Sequence, residues 1–375
     1  MNDLNYWLAL LRAPEIGPAT YHKLLQRFKS PKALFERSTA ERATLPLKAP
    51  TLHYLAQPDW NAVDKDLLWR DQDNKNHHII TIADPLYPKL LKEIPGGGPP
   101  LLFINGNINM LSSAQIAIVG SRNPSPLGKE IAYEFSQNLC RAGYTITSGL
   151  AIGIDAAAHR GALDCNGTTI AVAATGLDQV YPLRHRKLAE QVINNSGLIL
   201  SEFPLGTTPQ RSHFPRRNRL ISGLCEGTLV VEAAIRSGSL ITARFAVDQG
   251  REVFAIPGSI TNPLARGCHN LIKEGAKLTE TADDILEEIG PTQALPGNDP
   301  SWMADQALLE RTLDEKDSAV LRSLGYDPTL IDTIIERSRL TAREVSSALM
   351  DLELRGYITS ISGGLYARNA LRGKK

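Results

Sequence analysis

The sequence predicts an α/β protein built on an open, doubly wound parallel sheet, with a helical unit before the sheet and a winged helix after it. Three observations point there. Short β-branched runs alternate with helical stretches through the middle of the chain, from residue 116 to residue 256. Residues 1–75 show helical spacing only, and residues 311–368 run through helix, turn, helix and hairpin.

In the first 75 residues, apolar positions recur at helical spacing in Tyr6-Trp7-Leu8-Leu10-Leu11, in Leu24-Leu25-Phe28 and in Leu67-Leu68. Pro14, Gly17, Pro31, Pro46, Pro50 and Pro58 cut the segment into short helices. Ile16-Gly17-Pro18-Ala19-Thr20 followed by Leu24-Leu25 resembles a helix–hairpin–helix, a unit that touches DNA backbones; a packing module with one tight turn has the same pattern.

A joint is expected at Ile94-Pro95-Gly96-Gly97-Gly98-Pro99-Pro100, after which the pattern changes. Strands are expected at Ile116–Val119, Tyr144–Thr147, Thr169–Ala173, Leu198–Leu200, Thr228–Val231 and Glu252–Ile256. Helices are expected between them, over 126–142, 155–164, 185–195, 215–224 and 239–249. A turn-rich linker follows, from Pro291 to Pro300. Beyond it two short helices (314–323 and 327–336) precede a helix opened by Leu340-Thr341-Ala342-Arg343-Glu344, with Val345, Leu349, Leu352 and Leu354 as its apolar face. A hairpin over Tyr357–Ile361, turning at Gly363-Gly364 into Leu365-Tyr366, completes the wing.

A chain of 375 residues that is 42% hydrophobic and 22% charged has ample core for two or three domains. The formal net charge is only +1, so a polyanion site has to come from local clustering. Cys140, Cys165, Cys225 and Cys268 are scattered, which argues against a disulfide framework and a zinc site. The N-terminus does not read as a secretory signal, and no run approaches the roughly 20 apolar residues of a membrane span. A cytoplasmic protein with no membrane partner is expected.

Ligands of an open parallel sheet bind beyond the carboxyl ends of its strands. The small-residue loops sit there: Gly120-Ser121-Arg122-Asn123, Ser148-Gly149-Leu150-Ala151-Ile152-Gly153-Ile154-Asp155, Thr175-Gly176-Leu177-Asp178, Ser237-Gly238-Ser239 and Pro257-Gly258-Ser259. Glycines let the backbone approach a ligand, and helix N-termini offer N–H groups to anions. Gly120, Ser121, Arg122, Gly149 and Gly153 are therefore candidate phosphate contacts. Each loop taken alone is equally a tight turn. Walker A is missing, since Gly120 and Gly128-Lys129 lie too far apart and Glu130 stands where Ser or Thr is needed. The GxGxxG fingerprint is missing too.

Arg211-Ser212-His213-Phe214-Pro215-Arg216-Arg217-Asn218-Arg219 packs four arginines, one histidine and one phenyl ring into nine residues with no acid. Guanidinium forks bind phosphates bidentately, and the ring offers a face for a base. Charge beside a stacking platform is the recipe for single-strand binding without sequence preference. The competing reading is a solvated helix start whose arginines pair with nearby carboxylates. Arg184-His185-Arg186-Lys187 could extend the path, or serve only as a solvated face.

Catalytic groups are weakly represented. His159, on an Ala-rich helix, reads as a buried structural histidine, and Asp155 as that helix's N-cap. Glu232 ends a strand where an acid could reach a nucleotide ribose, but no paired carboxylate, metal cluster or activated nucleophile accompanies it. No enzyme activity and no cofactor are expected.

IAIVGSRNPSPLGKEIA, TSGLAIGIDAAAHRGAL, TIAVAATGLDQVYP, LILSEFPLG, HFPRRNRLISGLCEGTLVVEAAIRSGSLITARFA and REVFAIPGS…GCHNLIKEGA occur in this order. Together they resemble the DprA/Smf family of natural transformation, strongly over residues 76–290. The resemblance implies an extended Rossmann-type domain that binds single-stranded DNA, forms a homodimer and loads RecA while displacing or bypassing single-strand-binding protein. Gly120, Ser121 and Arg122 resemble the family's phosphate element, Arg211 and Phe214 its basic and stacking positions, and Arg216, Arg217, Asn218 and Arg219 its FPRRNR segment. There is one departure: the family usually reads Ser-Gly-Leu-Ala-Arg-Gly-Ile-Asp, and here Ile152 replaces the arginine.

The expected organisation is a helical unit similar to SAM or helix–hairpin–helix domains over 1–75, the Rossmann-type domain over 76–290, a linker over 291–310 and the winged helix over 311–372. The first alternative function is a phosphoribohydrolase-like nucleotide enzyme of a related fold. The stretch Cys225-Glu226-Gly227-Thr228 to Glu232 keeps that class's Gly-Thr and Glu but lacks its paired glycines. A duplex-reading regulator is the second. Its reading helix would carry Arg343 among Glu344, Ser346 and Ser347, too little cation for strong duplex recognition.

Overall fold

The fold is taken from a computed structural model, which describes residues 3–290, 313–324, 328–361 and 363–368. The expected linker over 291–310 lies outside the described residues.

Among the described residues nine strands form the main sheet: β1 (His77–Thr81), β2 (Leu101–Gly106), β3 (Gln115–Val119), β4 (Thr145–Ser148), β5 (Thr169–Val172), β6 (Leu198–Ser201), β7 (Gly227–Val230), β8 (Glu252–Ala255) and β9 (Lys277–Leu278). Their order is β1-β2-β6-β5-β4-β3-β7-β8-β9. β3 to β9 are parallel, while β1 and β2 add antiparallel to the β6 edge. The chain runs outward from β3 to β6, returns to β3's other side as β7, and then runs outward again. The direction of winding thus reverses between β3 and β7.

Strand pleat explains the two-sided core. Ile116 and Ile118 point into the cluster beneath helices Pro126–Arg141 and Ile154–Asp164, with Phe135, Leu139 and Ala158. Ala117 and Val119 alternate to the other face, where Leu220, Ile221, Ala243 and Ala246 of helices His213–Leu224 and Gly238–Asp248 cover them. All residues of β3 to β7 are buried, as in a parallel sheet covered by helices on both faces. Helix Pro126–Arg141 starts where the chemistry says it should. Ser125 accepts from the Gly128 N–H, and Pro126 occupies the first helical position.

The sequence reading missed β1, β2 and β9. It also placed a joint at 94–100, and that stretch lies inside the sheet unit, between β1 and β2. The helices of the first 72 residues bury Leu8, Leu10, Tyr21 and Leu55 against Ile79, Leu101 and Phe103 of β1 and β2. The opposite faces of the same strands, Ile80, Leu102 and Ile104, join the main core. Arg12 ties the helical unit down further: its Nε and Nη2 donate to the two Asp66 carboxylate oxygens and Nη2 also reaches the Leu205 carbonyl, while the Leu205 N–H donates to Asp66.

In the C-terminal unit, helices Glu315–Ser323, Ile331–Ser338 and Ala342–Leu354 precede a small sheet ordered β10 (Thr329–Leu330), β12 (Leu365–Arg368), β11 (Ile358–Ile361). Thr341 and Glu344 form the capping box of the third helix. Val345, Leu349 and Leu352 are buried as expected, with Ala348. Leu354 is not part of that face. It is 73% exposed, because at the helix end it has rotated off the i, i+4, i+7 stripe.

Candidate nucleic-acid interface

The reversal between β3 and β7 is the place where loops on either side diverge and leave a crevice at the strands' carboxyl ends. A cleft of about 660 Å³ opens there. Gly120-Ser121-Arg122-Asn123 leaves β3 along one wall, and Ala234, Arg236 and Ser237 leave β7 along another. Helix His213–Leu224 supplies the third.

That helix presents Phe214, Arg217, Asn218 and Ile221 to the cleft, one face at helical spacing. Arg216 and Arg219 fall on another face. Both donate to the same Glu202 oxygen, at 3.1 and 2.6 Å, and Arg216 also lies 4.8 Å from the Phe203 ring centroid. Glu202 is itself buried. The nine-residue run holds no acid, yet β6 delivers one to it. Two of its four arginines are therefore engaged as a carboxylate-pairing reading expects.

Arg217 is also a framework residue. It is 4% exposed, and its guanidinium donates to the backbone carbonyls of Gly149 and Val172, locking the ends of β4 and β5 together. Burial draws its pKa down to about 10, and the Asp155 carboxylate works against that fall. Asn218 accepts from Arg217 and donates to the Gly238 carbonyl, bridging two helices across the cleft floor.

The glycines serve packing. A side chain at Gly149 would collide with the Arg217 guanidinium, and its N–H donates to Asp155 rather than facing outward. Gly153, at φ +88°, lies so close to the Ser121 and Arg122 backbone that no Cβ fits. Asp155 is not the N-cap expected of it. Gly153 holds that position, and the Asp155 carboxylate turns back to the N–H groups of Gly149 and Ala151. At each of these helix starts one N–H is taken by the protein's own groups: Ser125 accepts from the Gly128 N–H, Ser237 from the Ser239 N–H, and the Ile154 N–H donates to the Ser121 carbonyl.

Glu232 is equally committed. It is 8% exposed and accepts from the Ser125 N–H at 2.9 Å and the Ser125 hydroxyl at 2.5 Å, which fixes the loop carrying Arg122. His159 is fully buried, bonded through Nδ1 to Thr169, and burial draws its pKa down to about 3.

Exposed charge and ring surface remain. Arg122 is exposed and lies 5.0 Å from the Phe214 ring centroid. Tyr181, 46% exposed, tilts against the same ring at 5.8 Å. Arg211 and Arg236 line the cleft and are exposed. Sequence reading named Arg122, Arg211 and Phe214. It missed Arg236, six residues past the end of β7 in a loop noted only for its serines and glycine, and Tyr181, at the end of the Gly176-Leu177-Asp178 loop. Of the Arg184–Lys187 run, His185 is buried against the Leu150 carbonyl and Arg186 pairs with Glu190. Arg184 is exposed and lines a smaller neighbouring cleft with Tyr181 and Arg122.

Comparison with known proteins agrees with this architecture. Residues 78–290 match the family "DNA recombination-mediator protein A". Residues 2–37 match a DprA-like N-terminal HHH domain and residues 304–364 a DprA winged helix domain. Protein Smf of Escherichia coli K12 is 42% identical over 81% of this chain and 80% of its own. The X-ray structure of DNA processing protein A from Streptococcus pneumoniae superposes with a TM-score of 0.67 at 38% identity, covering 76% of this chain and 97% of that one. The Helicobacter pylori protein, whose structure is described for its unique single-stranded DNA binding mode, gives 0.51 at 28%, over 56% of this chain and 95% of its own.

Proposed function

The chain belongs to the DNA recombination-mediator protein A family, also called DprA or Smf, and from that premise we propose that its switch-point cleft binds single-stranded DNA without sequence preference. The observation that carries the reading is the Arg122 guanidinium held against the Phe214 ring. An exposed cation meets a phosphate, and an aromatic face beside it meets whichever base comes next. Every base has a π face, so such a site is tolerant of sequence. A duplex keeps its bases stacked inside and offers the ring nothing. The single-stranded DNA binding described for the Helicobacter pylori relative supports the same ligand.

The reading is of a binding protein and not an enzyme. Glu232, the acid that a phosphoribohydrolase-like reaction would use, is buried and bonded to Ser125. On family membership we also propose that the bound strand is protected during natural transformation and handed to RecA past single-strand-binding protein, by a homodimer.

Equilibrium titration with labelled single strands of differing base composition, and with the matching duplex, tests the reading. Similar affinities for all single strands and a much weaker one for duplex are expected. Duplex binding as tight as single-strand binding would overturn it.

A further inference from the structure

Arg122 is a shared wall. On its far side a second cleft of about 730 Å³ opens between the first turns of helices Pro126–Arg141 and Ile154–Asp164 and the loop after β5. Lys129 and Arg160 enter it from the two helices, and Arg184 enters from the loop. All three are exposed, and among the described residues none of them makes an ion pair. Among the described residues Glu130 is the only acid on the lining, and it has a partner of its own. Ile152 belongs to the second cleft and not to the first, and stands where the motif that this loop resembles usually carries an arginine. It lines both the second cleft and a smaller one of about 130 Å³ that joins Arg122, Tyr181 and Phe214 to Arg184.

A strand seated at Arg122 carries one phosphate per nucleotide, and its next phosphates need cations along the way. Towards Ile152 the nearest wall offers only an aliphatic side chain. Arg184 lines the same two clefts as Ile152 and comes from a different loop. We propose that Lys129, Arg160 and Arg184 form a second phosphate subsite into which the single strand continues past Arg122, with Arg184 supplying beside Ile152 the positive charge that this chain's motif lacks. The proposal rests on the first cleft being the single-strand site. It adds the direction in which the strand leaves that cleft.

Anisotropy titrations with a dT length series at several salt concentrations test it, on wild type, Arg122→Ala, Arg160→Ala/Arg184→Ala, Arg184→Ala and Ile152→Arg/Arg184→Ala. The replaced side chains are exposed apart from Ile152, which is half-buried, so thermal melts are expected to match wild type. Each lost phosphate contact is expected to lower the salt slope by about 0.7 and the affinity for the longer oligomers about fivefold at 0.1 M salt. The shortest oligomers should keep wild-type affinity, and Ile152→Arg should restore most of what Arg184→Ala loses. Arg122→Ala should weaken binding at every length. If Arg160→Ala/Arg184→Ala binds like wild type at all lengths while Arg122→Ala is weakened, the second subsite is refuted and the first stands. An equal loss on the shortest oligomers would also refute it, because the two cations would then belong to the first cleft. Wild-type binding by Arg122→Ala would remove the single-strand reading beneath it.

Discussion

The guanidinium of Arg122 lies 5.0 Å from the ring centroid of Phe214, so a cation from the loop after β3 and a π face from helix His213–Leu224 meet where the sheet reverses its winding. Cation–π contact holds an exposed arginine near one place, which reduces the rotamer freedom lost when a phosphate binds. Glu232 fixes the loop behind it through Ser125.

Arg122→Ala is expected to lower the slope of log K against log salt by about 0.7, the contribution of one phosphate contact on a single strand. Phe214→Ala should cost roughly 1–3 kcal/mol of binding, the range for one base–aromatic stack. Because the two side chains touch, the double variant should lose less than the sum of the two. A double-mutant cycle by anisotropy titration measures this directly.

Arg217 and Arg211 should separate cleanly. Arg217→Ala removes a buried guanidinium, leaves the Gly149 and Val172 carbonyls without their donor and leaves Asp155 without its compensating charge. Urea unfolding should show a loss of about 3–5 kcal/mol. Arg211→Ala changes an exposed side chain, so stability should stay within about 0.5 kcal/mol while binding weakens.

Arg216 and Arg219 are predicted to contribute less to binding than their place in the basic run suggests. Both are held by Glu202, on a face turned away from Phe214. Arg216→Ala should change the single-strand salt slope by well under the ~0.7 expected of a phosphate contact. A full contact's worth of change would place the strand on that face instead.

His159 gives the fold a pH dependence. Burial draws its pKa from the ordinary 6.5 to about 3, so between those values the unfolded chain binds a proton that the folded protein excludes. Its contribution is fully present above pH 6.5 and is lost progressively as pH falls. From pH 6.5 to 5 the loss should be on the order of 2 kcal/mol. Urea unfolding at the two pH values checks this, and a His159→Gln variant that still folds should show a shallower fall.

Much of this architecture is legible from local pattern. The parallel strands are short runs rich in Ile, Leu and Val that alternate with helical stretches, so β3 to β8 and the helices between them fall within a residue or two of expectation. What local pattern cannot carry is strand order. The reversal between β3 and β7, which makes the cleft, follows from pairing between segments about a hundred residues apart. β1, with two histidines at its start, and the two-residue β9 were too weak as signals. The division of labour within the basic run was invisible for the same reason. Helical spacing separates 214, 217, 218 and 221 from 216 and 219, but only the fold brings Glu202 to one face and Gly149 to Arg217. The glycines of the Gly149–Gly153 loop looked like ligand contacts because close approach needs a missing Cβ, and here the close approach is of the protein to itself.

The central claim is that bases of a bound single strand stack at Phe214, beside Arg122. Photocrosslinking a 4-thiothymidine-containing oligomer to the full chain, followed by peptide mapping, tests it most directly. Crosslinks concentrated on the peptides that carry Phe214 and Tyr181, abolished by excess unlabelled dT oligomer and unaffected by duplex, are predicted. Crosslinks confined to the winged helix, or to the N-terminal helices, would contradict it.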